Sequence, residues 1–268
     1  MLNCKDLKIM KYFLVIDQGT SSTRAILFDV NFCLVELSQI EFKQFFPKDG
    51  WVEHDANEIF DSVIHCINDV MKKSETTHND IISIGITNQR ETCLLWDKNG
   101  TPYGKAIVWQ DRRTSEVCNN LKQQGLEREI NQLTGLLADP YFSGTKLSWM
   151  LEKAGKRKDL FMGTIDTFLI WKLTEGKSYF MDATNASRTL LMDIRNISWS
   201  DNMCNLLKIP IEKLPEIKNS ADDFGETYLF GGKIKISGVA GDQQAALFGQ
   251  GCFEEGEAKS TYGTGCFM

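Results

Sequence analysis

The stretch from Tyr12 to Val30, YFLVIDQGTSSTRAILFDV, constrains the fold more than any other part of the chain. An apolar run from Tyr12 to Ile16 reads as a buried strand and stops at an acid, Asp17. Five small or hydroxylated residues follow, Gly19 to Thr23, and then a second apolar run, Ala25 to Phe28. Two β-prone runs around a glycine-led polar turn predict a hairpin. The turn offers backbone N–H groups and four hydroxyls with no bulky side chain in the way, which suits phosphate oxygens. Asp17 at the strand end is placed to hold a divalent cation, directly or through water. Arg24 adds a positive charge. An ordinary hairpin with a polar tip would read the same way, so the rest of the chain has to decide.

Cys33 to Phe42 looks like a third strand completing a meander. A turn-rich segment from Phe46 to Asp55 follows and is expected to carry an exposed aromatic. Asp55 is placed as an N-cap, with Glu58 forming a capping box. Apolar residues recur at helical spacing from there, which predicts a helix over 56–73. Residues 81–86 form a buried strand followed by the wholly polar Thr87 to Thr92, and 94–96 and 106–109 supply two further short strands. A meander followed by strand, helix and strand implies a mixed sheet with crossover helices. Gln110-Asp111-Arg112-Arg113 leads into a helix over 114–125. Polar, charge-rich segments directly after buried strands are where α/β sheets gather ligands.

Helices are predicted over 127–133, 144–154, 166–173 and 201–207. The loop Ala138 to Lys146 between them holds Tyr141 and Phe142, and aromatic loop residues usually pack back onto their own domain. A strand over 234–239 ends in Ala240-Gly241-Asp242-Gln243-Gln244, placing Asp242 at the N-terminus of a helix over 243–250. As a plain N-cap, Asp242 would contribute ~1 kcal/mol. The last stretch repeats the opening device: a strand over 259–262, the turn Gly263-Thr264-Gly265, and the start of a return strand. A strand and Gly-Thr turn at each end suggests two duplicated lobes, the second only begun. The expected division is an extension over 1–11, a first lobe over 12–252 and the opening of a second over 253–268.

A chain of 268 residues with net charge −6 has no basic footprint for nucleic acid. No apolar run approaches the ~20 residues that span a bilayer. The N-terminus lacks the apolar core of a signal peptide. Eight scattered cysteines without a Cys-x-x-Cys pair, and only three histidines, argue against zinc. Free thiols in a reducing cytoplasm are the economical reading.

Eight segments occur in one order: DQGTSSTRAILFD from Asp17, GWVEHD from Gly50, GITNQRET from Gly85, WQDRRT from Trp109, DPYFSGTK from Asp139, TNASRTLL from Thr184, GDQQAALFG from Gly241 and TYGTGCF from Thr261. Together they resemble the FGGY carbohydrate kinase family, whose fold is an actin-like, ribonuclease-H-like ATPase. The NQRET and PYFSGTK stretches point to its glycerol-phosphorylating branch. The resemblance implies ATP and Mg²⁺ as cofactors and glycerol held by Arg90, Glu91, Tyr141, Asp242 and Gln243. It implies Asp242 as general base, Asp17 and Asp242 around the metal, and Thr20, Ser21, Ser22 and Arg24 toward the phosphates, with Thr264 opposite. Arginine donates, glutamate accepts and glutamine does both, as a short triol requires. Chains of the family run to about twice this length, so a missing C-terminal lobe is expected to complete the cleft; a homo-oligomer is the other partner expected. A non-catalytic binding module and another polyol or sugar kinase are the alternatives. Where the family's regulatory loop for fructose 1,6-bisphosphate has an arginine, this chain has Lys233, which lacks the bidentate fork.

Overall fold

The computed structural model describes residues 11–155, 157, 159–263 and 265–268. Thr264 and all but the last residue of the expected N-terminal extension lie outside the described residues. Strands and helices are numbered along the chain. The opening hairpin forms from β1 (Tyr12–Gln18) and β2 (Ser22–Asp29), and β3 (Leu34–Glu41) completes an antiparallel meander. The turn is tighter than the sequence suggested. Ser22 and Thr23 already belong to β2, and the Thr23 hydroxyl is buried, accepting from Ser62 at 2.7 Å. Helix α1 (Ala56–Lys73) packs on this meander through Ile59, Val63, Ile67 and Val70, all fully buried. Its cap is half of the expected box. Asp55 accepts from the N–H groups of Asn57 and Glu58, whereas the Glu58 carboxylate accepts from Lys43 N at 3.0 Å.

Four short strands follow the meander or flank the next long one: β4 (Gln44–Phe45), β5 (Glu53–His54), β7 (Cys93–Trp96) and β8 (Ala106–Ile107). With β9 (Phe161–Thr164) they make a second, antiparallel sheet in the order β4-β5-β8-β7-β9. The sequence placed 94–96 and 106–109 in one mixed sheet with the meander. They pair instead across a separate layer, and β7 is buried along its whole length. The exposed aromatic of the turn-rich segment is Phe46, while Trp51 is half-buried. The Arg113 guanidinium lies 3.7 Å from its ring centre and Trp149 meets it edge-on at 5.5 Å.

The first sheet is completed by β6 (Ile81–Asn88), β14 (Glu226–Thr227) and β15 (Ile234–Gly241), in the order β14-β15-β6-β1-β2-β3. β1, β6 and β15 run parallel, and register sets Gln18, Asn88 and Gly241 side by side at their C-terminal ends. The sheet is therefore mixed, as expected, and the fold is α/β with flanking helices. Between β9 and β15 come α5 (Ile165–Leu173), β10 (Phe180–Asp182), α6 (Ala183–Ala186), β11 (Met192–Asp193), β12 (Ser198–Trp199), α7 (Asp201–Leu206) and β13 (Glu216–Lys218). α5 is apolar almost all round, and it is buried at every position but Lys172. Before β9 lie α2 (Ser115–Gln123), α3 (Glu127–Thr134) and α4 (Ser143–Ala154), and after β15 comes α8 (Asp242–Gly249). The last strands, β16 (Thr261–Tyr262) and β17 (Cys266–Phe267), pair only with each other among the described residues. No helix among the described residues is long and apolar enough to cross a membrane.

Candidate active-site cleft

Three parallel strands that end side by side bring three polar segments together. β1 ends in Asp17-Gln18, β6 runs on into Gln89-Arg90-Glu91, and β15 hands over to Asp242-Gln243. A cleft of about 550 Å³ opens at this edge. Arg90, Glu91, Tyr141, Asp242 and Gln243 all line it, as do Asp17, Thr20 and Arg24. Thr87 also faces it, with a buried hydroxyl that has no partner among the described residues.

The turn after β6 is wound unusually tightly. Glu91 has φ +61°, and Thr92 N donates to Arg90 O at 2.7 Å, a γ-turn of the strained kind. Gln89 locks it to β1: its N–H donates to Gln18 O at 2.7 Å and its Nε2 to Gln18 Oε1 at 3.0 Å. The turn throws Arg90 one way and Glu91 the other. Arg90 Nε lies 3.1 Å from Asp242 Oδ1, an ion pair out of line for a hydrogen bond, while its Nη1 donates to Gln244 Oε1 at 3.3 Å. Gly241 makes this approach feasible, because a Cβ there would sit 2.6 Å from Arg90 Cδ.

Glu91 is almost wholly buried and accepts from Arg188 Nε at 2.6 Å. Burial pushes its carboxyl above the usual range, and Arg90, Arg188 and Lys146 pull it back. Tyr141 packs edge-on against Trp109, with ring centres 5.7 Å apart, and burial pushes its phenol up to about 12. It stays a neutral donor and an apolar wall. Lys146, fully buried in α4, donates to the Tyr141 carbonyl at 2.7 Å and so fastens the loop to the helix below it. Phe142 packs inward, as aromatic loop residues usually do, but Tyr141 turns to the cleft. Gln243 Oε1 accepts from the Lys259 ammonium, and its Nε2 has no partner among the described residues.

A buried polar network holds the ends of β6 and β15 in place. Asn88 and Asn185 exchange carboxamide hydrogen bonds at 2.9 and 3.0 Å, and Asn185 Nδ2 donates also to Asp182 Oδ1 at 2.7 Å. Asp182 accepts from the Thr184 hydroxyl, whose oxygen accepts from Gly241 N at 2.8 Å. Both β6 and β15 are thereby tied to α6. Full satisfaction is what makes such a network rigid.

On the opposite side Asp17 and Arg24, cross-strand partners in the hairpin, form an ion pair at 3.1 Å. Trp109 Nε1 donates to Thr20 Oγ1 at 2.9 Å, and Ser21 is exposed at the turn. Ser22 is buried and its hydroxyl accepts from Gln39 Nε2 at 3.1 Å, so it points along the sheet. Burial raises both Asp17 and Asp242, and the charge of Asp17 raises Asp242 further. Two carboxylates that repel in a half-buried cleft form a hard oxygen donor set of the kind Mg²⁺ takes while keeping its waters.

Residues 12–249 match the N-terminal domain of the FGGY family of carbohydrate kinases. The chain belongs to that family. Among its relatives, glycerol kinase of Rhizobium meliloti is 56% identical over 265 residues, a match covering 96% of this chain and 53% of the relative. Glycerol kinase of Oceanobacillus iheyensis is 54% identical over 268 residues, covering 96% and 54%. The crystal structure of Plasmodium falciparum glycerol kinase with ADP superposes with a TM-score of 0.90 at 38% identity, covering 96% of this chain and 53% of that one. This FGGY chain spans about half the length of the relatives it matches.

Sequence reading missed four residues that build this FGGY site. Arg188 and Thr184 lie inside the TNASRTLL segment, but their partners, Glu91 and Gly241, are far away in sequence. Lys146 and Trp109 were visible only as members of motifs. The one local signal was a lone charge, Arg188, in a run of small residues.

Proposed function

We propose that this chain carries the glycerol-binding half of an ATP-dependent glycerol kinase, which makes sn-glycerol 3-phosphate. The observation that carries the reading is the convergence of Arg90, Glu91, Tyr141, Asp242 and Gln243 on one cleft at the strand ends. Glu91 accepts from glycerol hydroxyls, Arg90 and Gln243 donate to them, and Tyr141 covers the carbon chain. A site of buried polar groups rejects compounds that leave those groups unpaired. Asp242, raised by burial, takes the proton of the attacking hydroxyl. Thr20, Ser21, Arg24 and the backbone of the turn face the phosphates, Ser22 supports the turn, and Thr264 is assigned to the opposite wall by its place in the motif. Asp17 and Asp242 would hold Mg²⁺, which supplies charge neutralisation at the phosphate oxygens. The family resemblance assigns the second wall and the adenine pocket to a second lobe, and this chain spans about half the length of its relatives. Scattered free cysteines favour a reducing compartment, the cytoplasm.

A coupled assay tests the reading on a two-lobed protein, made by joining this chain to the second half of the Rhizobium meliloti relative. Glycerol-dependent ADP release is expected, with ribulose and xylulose far poorer. Asp242→Asn should lower kcat at least a hundredfold while glycerol still binds, because Asn keeps the shape but accepts no proton. A loss below about tenfold removes Asp242 from the chemistry. Turnover with a five-carbon sugar in preference to glycerol would overturn the substrate.

A further inference from the structure

Arg188 follows α6 and is held from both sides. Its N–H donates to Asn185 O at 3.0 Å, and the next residue, Thr189, accepts from Gly144 N of α4 at 2.7 Å. A Cβ on Gly144 would come within 2.6 Å of Thr189 O, so this seam is close-packed. From that base the side chain reaches Glu91, and its guanidinium carbon lies 4.9 Å from the Phe142 ring centre and 5.6 Å from that of Tyr141. One side chain therefore spans the turn after β6 and the loop before α4. Those two segments supply the acceptor and the aromatic wall of the cleft. Arg188 itself does not line the cleft.

We propose that Arg188 is a positioning residue of the polyol pocket, holding the Glu91 carboxylate in place and clamping the Tyr141–Phe142 wall against it. The inference rests on the glycerol reading above and deepens it. Four groups face Glu91: Arg90 from its own turn, Arg188 from the segment after α6, Lys146 from α4 and the neutral Tyr141 phenol. Arg90 is turned to Asp242 and Gln244, and Lys146 donates to the Tyr141 carbonyl. Among the described residues, the direct ion pair to the Glu91 carboxylate comes from Arg188. Removing it leaves a buried carboxylate without its charge-assisted partner and frees the aromatic loop. Lysine would keep the charge but lose the planar face that stacks on the rings.

The test is a calorimetric titration of glycerol into the wild-type chain, Arg188→Lys and Arg188→Met across mildly acidic to mildly alkaline pH. The Glu91 carboxyl is followed in each by ¹³C NMR. Arg188→Met should bind glycerol about tenfold or more weakly. Its Glu91 should titrate at higher pH than in wild type, and the acid limb of binding should move up with it. Arg188→Lys should recover part of the affinity and most of the titration. A merely structural loss would lower the melting temperature without moving the Glu91 titration. Glycerol affinity within about twofold of wild type in Arg188→Met, with Glu91 titration unmoved, overturns the proposal. A wild-type chain that takes a five-carbon sugar instead of glycerol overturns the substrate reading alone, and the Arg188 comparison is then read with that sugar.

Discussion

Glu91 shows how a single residue stores strain for a purpose. Its φ of +61° costs of order 1–3 kcal/mol for a residue with a Cβ, and the return is that Arg90 and Glu91 leave adjacent backbone positions toward different partners. Gly241 serves the same end by absence. In Gly241→Ala the new methyl would meet Arg90 at Cγ and Cδ, 2.7 and 2.6 Å away, and Arg90 must leave Asp242. Glycerol affinity should fall about tenfold to a hundredfold with little change in folding, as calorimetry and circular dichroism would show. Asp166 makes a prediction about stability. It is fully buried, and one of its oxygens accepts from Thr164 at 2.5 Å while the other has no partner among the described residues. Burial, helped by the nearby Asp182 charge, pushes it up to about 7 from an ordinary 3.8. Between those values the folded chain binds the proton that the unfolded chain has released. Stability therefore falls as pH rises through that window, by up to about 1.4 kcal/mol per pH unit, and levels off above it. Urea midpoints measured against pH should show this slope in wild type and lose it in Asp166→Asn.

At the scale of elements, the cleft depends on β1, β6 and β15 ending level: Gln89 ties β6 to β1, and the Asn88–Asn185–Asp182–Thr184 network ties β6 and β15 to α6. Asn88→Ala should cost about 1–3 kcal/mol, since it leaves the buried Asn185 Oδ1 without its donor while Nδ2 keeps Asp182. It should also weaken glycerol binding, because the β6 end carries Arg90 and Glu91. Chemical denaturation and calorimetry on the same variant check both halves. The elements that were legible in the sequence share one property: their signal is local. The 3.6 period of Ile59 to Met71 and the two apolar runs around Gly19 specify α1 and the hairpin without reference to anything distant. Of the second sheet, β7 and β8 were legible as short strands, but their pairing in a layer of their own was not. Its strands are two to four residues long and pair across gaps that no period records. The same holds within the site. Arg90, Glu91 and Asp242 announce themselves as polar residues after buried strands, but the Asn88–Asn185 pair spans 97 positions, and so does Arg188 with Glu91. Long-range polar partners are chosen by the fold, and a sequence shows only that they are available.

The described residues build one side of a cleft. Everything assigned to the polyol lies on the parallel strand ends and their supporting loops, and the turn proposed for the phosphates joins it from the same sheet. Transfer requires closure against a second wall and exclusion of water, so the 268-residue polypeptide alone should bind glycerol yet show no glycerol-dependent ATP consumption. That separation of binding from turnover gives the account its most direct test. Glycerol is titrated calorimetrically into the isolated chain and into its Arg90→Ala and Glu91→Ala variants, without nucleotide. Saturable binding of one glycerol per chain is predicted, weakened at least about tenfold in each variant by the loss of a buried hydroxyl partner. Binding that is absent in wild type, or unchanged in both variants, would contradict the placement of glycerol in this cleft.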